Sequence, residues 1–133
     1  MTDKTRPVKK PTPSAMRSVA TKLVDYLSEH ELFEEVRIYA DGELYSSEKT
    51  ARDQTPSKTP KGNTYYMTPN VDMCEYVETA DSKTIAMTFE GPLYDLINYE
   101  DYDFVYKLTQ MFVAQYGLYF EMINAFTLAA YEA

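Results

Sequence analysis

Met16, Val19, Ala20, Leu23, Val24 and Leu27 recur at intervals of three and four residues, with Arg17, Lys22, Asp25 and Glu29 between them. That spacing gathers the apolar side chains on one side of an α-helix, and Ser14 is placed to cap its first turn. From Val36 the period changes to two. Val36, Ile38 and Ala40 alternate with Arg37 and Tyr39, and Asp41–Gly42 follows. Asp-Gly between alternating runs predicts a tight hairpin, because both central residues of a type I′ turn need positive φ. Strands are expected near 35–40 and 43–47. Three further strands are expected at 64–68, 73–78 and 83–90, the last carrying Ile85, Met87 and Phe89 on one face. Thr79–Ser82 is expected to join the last two as an antiparallel pair. Gly91–Pro92 ends the sheet, Pro92 suits the first turn of a helix, and Leu93, Leu96 and Ile97 predict a short amphipathic turn.

The C-terminal third is the most apolar stretch. Phe104, Leu108, Met111 and Phe112 follow helical spacing, with Asp101 or Asp103 available as a cap. Gly117 interrupts the pattern. Beyond it 118–131 is apolar nearly all round and is expected to be helical. Such a helix must be enclosed, and a second copy of the chain is expected to cover Met122, Ile123, Phe126 and Leu128 in a homodimer. The fold class that follows is α+β: an N-terminal helix, a mainly antiparallel sheet of four or five strands, and C-terminal helices packed on one face. Residues 14–133 are expected to form one acidic domain behind a disordered, proline-rich basic arm at 1–13. Residues 48–63 have no period and read as a long exposed loop.

Charge sharpens this outline. The net charge is −8, yet residues 1–22 carry +5, residues 23–62 carry −4 and residues 63–133 carry −9. An acidic body lacks the clustered Lys and Arg that phosphate contacts require, so direct nucleic-acid binding is not expected of it. The segment MTDKTRPVKKPTPS lacks the apolar core of a signal peptide. No run reaches the ~18 apolar residues of a membrane span, since Gln115, Glu121, Asn124 and Thr127 interrupt 111–131, which comes nearest. With one cysteine, Cys74, no intrachain disulfide is possible. A cytoplasmic location with no membrane association is therefore expected.

Candidate chemistry is sparse. Any nucleophile–histidine dyad would have to use His30, the single histidine, which sits at an expected helix end. Cys74 falls in an expected strand and reads as core filler. One Cys and one His make half a usual zinc set. The carboxylates around 95–103 lack the spacing of a calcium loop, and the glycines stand singly rather than in a phosphate-cradling run. No catalytic residues, no metal and no cofactor are expected, and the chain is not expected to be an enzyme.

What remains is an aromatic and acidic stretch: Tyr94, Asp95, Tyr99, Glu100, Asp101, Tyr102, Asp103 and Tyr106. Rings interleaved with carboxylates suit docking of a basic partner protein, the rings supplying contact area and the acids supplying steering. The expected function is a small non-enzymatic interaction module. A sharper form is an accessory inhibitor of the phage or mobile-element type, acting as a DNA mimic. A different class is a small-molecule binder with a pocket lined by Tyr65, Tyr66, Tyr76 and Tyr106.

Overall fold

The computed structural model describes residues 13–77 and 85–132. The basic arm up to residue 12 and the Thr79–Ser82 connection lie outside them. Helix α1 (Pro13–Glu29) is followed by strands β1 (Val36–Ala40), β2 (Glu43–Ser46), β3 (Pro56–Lys58), β4 (Thr64–Thr68) and β5 (Ile85–Phe89). Helix α2 (Gly91–Asp95), a π-helical turn (Leu96–Glu100) and helix α3 (Phe104–Tyr116) come next. Strands β6 (Leu118–Asn124) and β7 (Thr127–Glu132) close the chain. All seven strands form one antiparallel sheet in the order β3-β4-β2-β1-β5-β7-β6. The class is α+β, as expected. The sheet has seven strands rather than four or five.

The stripe on α1 does what its spacing predicts. Met16, Val19, Ala20, Leu23, Val24 and Leu27 are all buried, against Ile38, Met87 and Phe89 of the sheet and Phe104, Leu108 and Phe112 of α3. Helices α1 and α3 thus share one face of the sheet. The β1–β2 turn also forms as read: Asp41 has φ 49° and Gly42 φ 75°, the pair of positive values that a type I′ turn requires. Helix α1 begins one residue before the expected cap, so Ser14 falls within the first turn.

Three expectations are corrected. Residues 118–131 are a hairpin, not a helix. Gly117 adopts φ 67° and ends α3 in the left-handed conformation that commonly terminates helices. The chain then returns as β6 and β7. Strand β7 lies between β5 and β6 with Leu128, Ala129 and Ala130 all buried. A strand buried on both faces reads as a continuous apolar run, and period alone cannot separate it from a buried helix. Strand β7 is enclosed by its own sheet and β6 forms the edge, so the segment is not a helix apolar all round that a second copy must cover.

Of the expected strand at 73–78, residues 73–77 do not form a strand, and residue 78 lies outside the described residues. Met73–Glu75 is a 3₁₀ turn capped by the Asp72 carboxylate, which accepts from the Cys74 amide at 3.0 Å. Met73 and Val77, four residues apart, pack with Tyr39, Leu44 and Ala86 on the sheet face opposite the helices. Cys74 is consequently exposed rather than core filler. The 48–63 loop contains the third correction, strand β3, which pairs with β4 through Pro56↔Tyr66 and Lys58↔Thr64. Pro and Lys on so short an edge strand discourage pairing with other chains. No helix among the described residues is long and apolar enough to cross a membrane.

A buried carboxylate fixes the β3–β4 connection to the helix layer. Asp25 of α1 accepts hydrogen bonds from the Thr59 hydroxyl and, at 2.7 Å, from the Asn63 side-chain amide. Asp25→Ala leaves both donors without their acceptor and is expected to lower the unfolding free energy by about 2 kcal/mol, measured by urea denaturation. An unchanged midpoint would show that the connection is held by something else.

Tyr45, its ring fully buried, donates its hydroxyl to Glu43 Oε1 at 2.9 Å, and Arg17 reaches the same carboxylate at 3.5 Å. Burial, then the Glu43 carboxylate, raises the Tyr45 phenol far above its ordinary value. The unfolded chain therefore gives up this proton more readily than the folded one. The associated stability is complete below about pH 10 and is lost as pH climbs beyond it. Alkaline unfolding followed by circular dichroism is expected to be less steep in Tyr45→Phe than in the wild type.

Candidate functional site

The aromatic and acidic stretch occupies the passage from β5 into α3. Gly91 has φ 61°, and its missing Cβ leaves room for the Glu35 carboxylate, whose Oε2 lies 2.7 Å from where that carbon would be. Pro92 then starts α2 in the position its fixed φ favours. Leu93 and Ile97, four residues apart, are buried and hold the segment to the core. Tyr94 and Asp95 between them, and Tyr99 and Glu100 beyond Ile97, face outward, from half-buried Tyr94 to exposed Tyr99.

The π turn sets the spacing. The Asp101 amide bonds to the Leu96 carbonyl at 2.7 Å, five residues back. That wider loop accommodates an extra residue, a feature recurrent at functional sites. Asn98 locks it from below, its side-chain amide donating to the Tyr94 carbonyl at 3.0 Å and to the Ala125 carbonyl at 2.8 Å. The turn between β6 and β7 thereby becomes the support of this corner.

Asp101 has a structural task. Its Oδ1 accepts from the Asp103 amide at 3.0 Å and its Oδ2 from Lys107 Nζ at 2.8 Å, organising the first turn of α3. Asp101 thus braces the entry to α3, but it bonds the amide of Asp103, the residue before the helix, rather than a helical amide as the expected cap would. Tyr94 and Tyr99 meet edge to face at 6.1 Å between ring centres. Tyr99, with Asp95 contributing less, holds the Tyr94 phenol above its ordinary value. Tyr99, Tyr102 and Tyr106 are 67%, 80% and 67% exposed. Asp95, Glu100 and Asp103 are exposed and form no ion pair among the described residues. No protein family matches this chain, and neither a curated protein nor a solved structure resembles it. The site must be argued from its own geometry.

The other residues singled out in the sequence are dispersed. Leu128 is fully buried in the core, Met122 and Ile123 are half-buried on β6, and Phe126 in the β6–β7 turn is 51% exposed. Of these four, Phe126 offers the most surface to a partner. Tyr65 and Tyr66 are successive residues of β4, so their side chains point to opposite faces of the sheet. Tyr65 packs on Tyr45 at 5.3 Å, while Tyr76 stacks on Tyr39 at 5.8 Å on the other face. These rings do not converge on one pocket. His30 is exposed beside the Tyr26 ring at 4.4 Å. Among the described residues no three His, Cys, Asp or Glu side chains are placed to share a metal ion.

Sequence reasoning missed a hollow next to Tyr94, about 520 Å³ in volume and lined by Glu90, Gly91, Tyr94 and Phe126. Its walls come from segments 30 or more residues apart in the chain, and no local pattern signals it.

The Lys107 ammonium holds the Asp101 carboxyl below the ordinary carboxylate range, and the Asp103 amide assists. Stability linked to a depressed carboxyl is present above its ordinary pKa and is lost as pH falls through the folded value. Lys107→Met is expected to move the Asp101 titration upward toward that of a free carboxylate, read from side-chain carbonyl shifts in an NMR pH titration. An unmoved titration would mean that the backbone amide alone sets it.

Proposed function

We propose that the chain is a non-enzymatic interaction module whose tyrosine and carboxylate corner docks the basic surface of a partner protein. The observation that carries this reading is the combination of exposed rings and unpaired acids. Tyr99, Tyr102 and Tyr106 are each at least two-thirds exposed, a costly display of ring surface unless a partner covers it. Asp95, Glu100 and Asp103 lie among them, while Lys107, the cation within this stretch, is engaged by Asp101.

The parts have separate roles. Tyrosine supplies broad, rigid contact with few rotatable bonds, which makes it a frequent anchor at interfaces. The carboxylates raise the encounter rate with a cationic surface and penalise acidic competitors. Rigidity beneath the corner, from the hydrogen bonds of Asn98 and Asp101, reduces the ordering needed on association.

The test is capture from a lysate of the source organism, with chemical cross-links mapped by mass spectrometry. Glu100→Lys combined with Asp103→Lys reverses charge while leaving the Asp101 side chain and its bonds to the Asp103 backbone amide and Lys107 in place. The expected result is a salt-sensitive partner cross-linked at residues 94–106, lost in the double variant and weakened roughly tenfold by Tyr102→Ala. Capture that survives both charge reversal and high salt would remove the corner from the interface.

A further inference from the structure

On the sheet face away from the helices lies a cleft of about 460 Å³, lined by Arg37, Tyr39, Thr88, Tyr76, Phe126 and the carboxylates Glu35, Glu48 and Glu90. Its floor is set by register. Arg37 on β1 stands opposite Thr88 on β5, with Tyr39 two residues along the same face. Backbone bonds hold the walls: the Glu90 amide donates to the Glu35 carbonyl at 3.0 Å, and the Phe89 amide donates to the Phe126 carbonyl at 3.0 Å. Glu48 Oε2 is fixed by the Glu35 amide at 3.0 Å and the Ser47 hydroxyl at 2.5 Å. Glu35 itself holds φ 58°, a left-handed conformation that is uncommon for a side chain of its size.

Two observations point to a ligand. First, a guanidinium and three carboxylates line one cleft, yet among the described residues no ion pair or hydrogen bond joins Arg37 to any of them. Opposite charges kept apart across a cavity leave a gap that a molecule bearing both charges would bridge. Second, Tyr39 is 3% exposed, and its hydroxyl has no hydrogen-bond partner among the described residues. A buried hydroxyl without a partner is costly, and Tyr39 is itself among the residues that line the cleft. The volume lies within the range of small-molecule sites.

We propose that this cleft binds a zwitterionic α-amino acid with an aromatic side chain. The ligand carboxylate pairs with Arg37, whose planar fork suits a two-oxygen anion. The ammonium sits among Glu35, Glu90 and Glu48, where the excess of acid over base favours a cation. The aromatic side chain rests against Phe126 and Tyr76, both of them half-exposed or more. Thr88 and the Tyr39 hydroxyl supply neutral hydrogen bonds. The inference stands apart from the docking corner and does not depend on it.

The experiment is an NMR titration of the full chain with L-phenylalanine as probe, beside phenethylamine, which lacks the carboxylate, and 3-phenylpropionate, which lacks the ammonium. Saturable shifts confined to the amides around Arg37, Thr88 and Phe126 are expected, with each analogue at least roughly tenfold weaker. In Arg37→Ala, an exposed position, L-phenylalanine is expected to fall to the level of phenethylamine. Absence of saturable shifts up to ~10 mM probe would overturn the proposal. Equal binding of phenethylamine would reveal a plain cation site, equal binding of 3-phenylpropionate a plain anion site, and either result overturns the zwitterion assignment. Unchanged selectivity in Arg37→Ala would do the same.

Discussion

The pairing of β5 with both β1 and β7 is the constraint on which the rest depends. Residues Ile85–Phe89 stand between an N-terminal hairpin and a C-terminal one and join them into a single sheet. Ile85, Met87 and Phe89 point into the core under α1 and α3, while Ala86 packs on the opposite face with Tyr39 and Met73. Because β5 is apolar toward both layers, burial on one side cannot proceed without register on the other. A one-residue slip would exchange the two sets of side chains. Its paired residues lie 39 or more positions away on each side of the chain, so loop closure must precede the reward of pairing.

The same strand places both the tyrosine and carboxylate corner and the charged cleft. Its C-terminal end passes Glu90 and Gly91 into α2, and the close approach of Glu35 to Gly91 ties that exit to the start of β1. The tyrosine and carboxylate corner grows on one side of this junction. The charged cleft opens on the other. Phe126 and Glu90 border both the cleft and the hollow beside Tyr94, so the β6–β7 turn is a shared wall. Asn98 joins that turn to the π-helical segment, which makes the corner rigid through contacts with a distant part of the chain.

Charge is used in two ways. Asp25 and Asp101 are structural: one pins a surface connection to α1 and the other braces the entry to α3 through the Asp103 amide and Lys107. Glu43 accepts from the buried Tyr45 and pairs with Arg17 at the sheet surface. Asp95, Glu100 and Asp103 have no ion-pair partner among the described residues, which leaves them free to act outward. A net charge of −8 therefore overstates the uncommitted acidity and obscures where it lies.

Local chemistry was legible in the sequence wherever one residue pattern had one physical solution. The stripe on α1, the Asp-Gly hairpin, the alternation on β5 and the Pro92 helix start follow from spacing and backbone preference, and each forms as read. The exposed rings and acids of 94–106 were also visible, since they fall between residues needed for the core. Tertiary structure decided the remainder. Leu118–Tyr131 became a hairpin because a place beside β5 was open to it, and burial on both faces erased the alternation that would have announced β7. MCEYV became a 3₁₀ turn because Met73 and Val77 fill the second face of the sheet. The cleft around Arg37 draws its residues from five segments, and only their pairing register brings those charges together. Periodicity reports which side of an element is apolar; which neighbour covers that side is set by distant residues competing for the same surface.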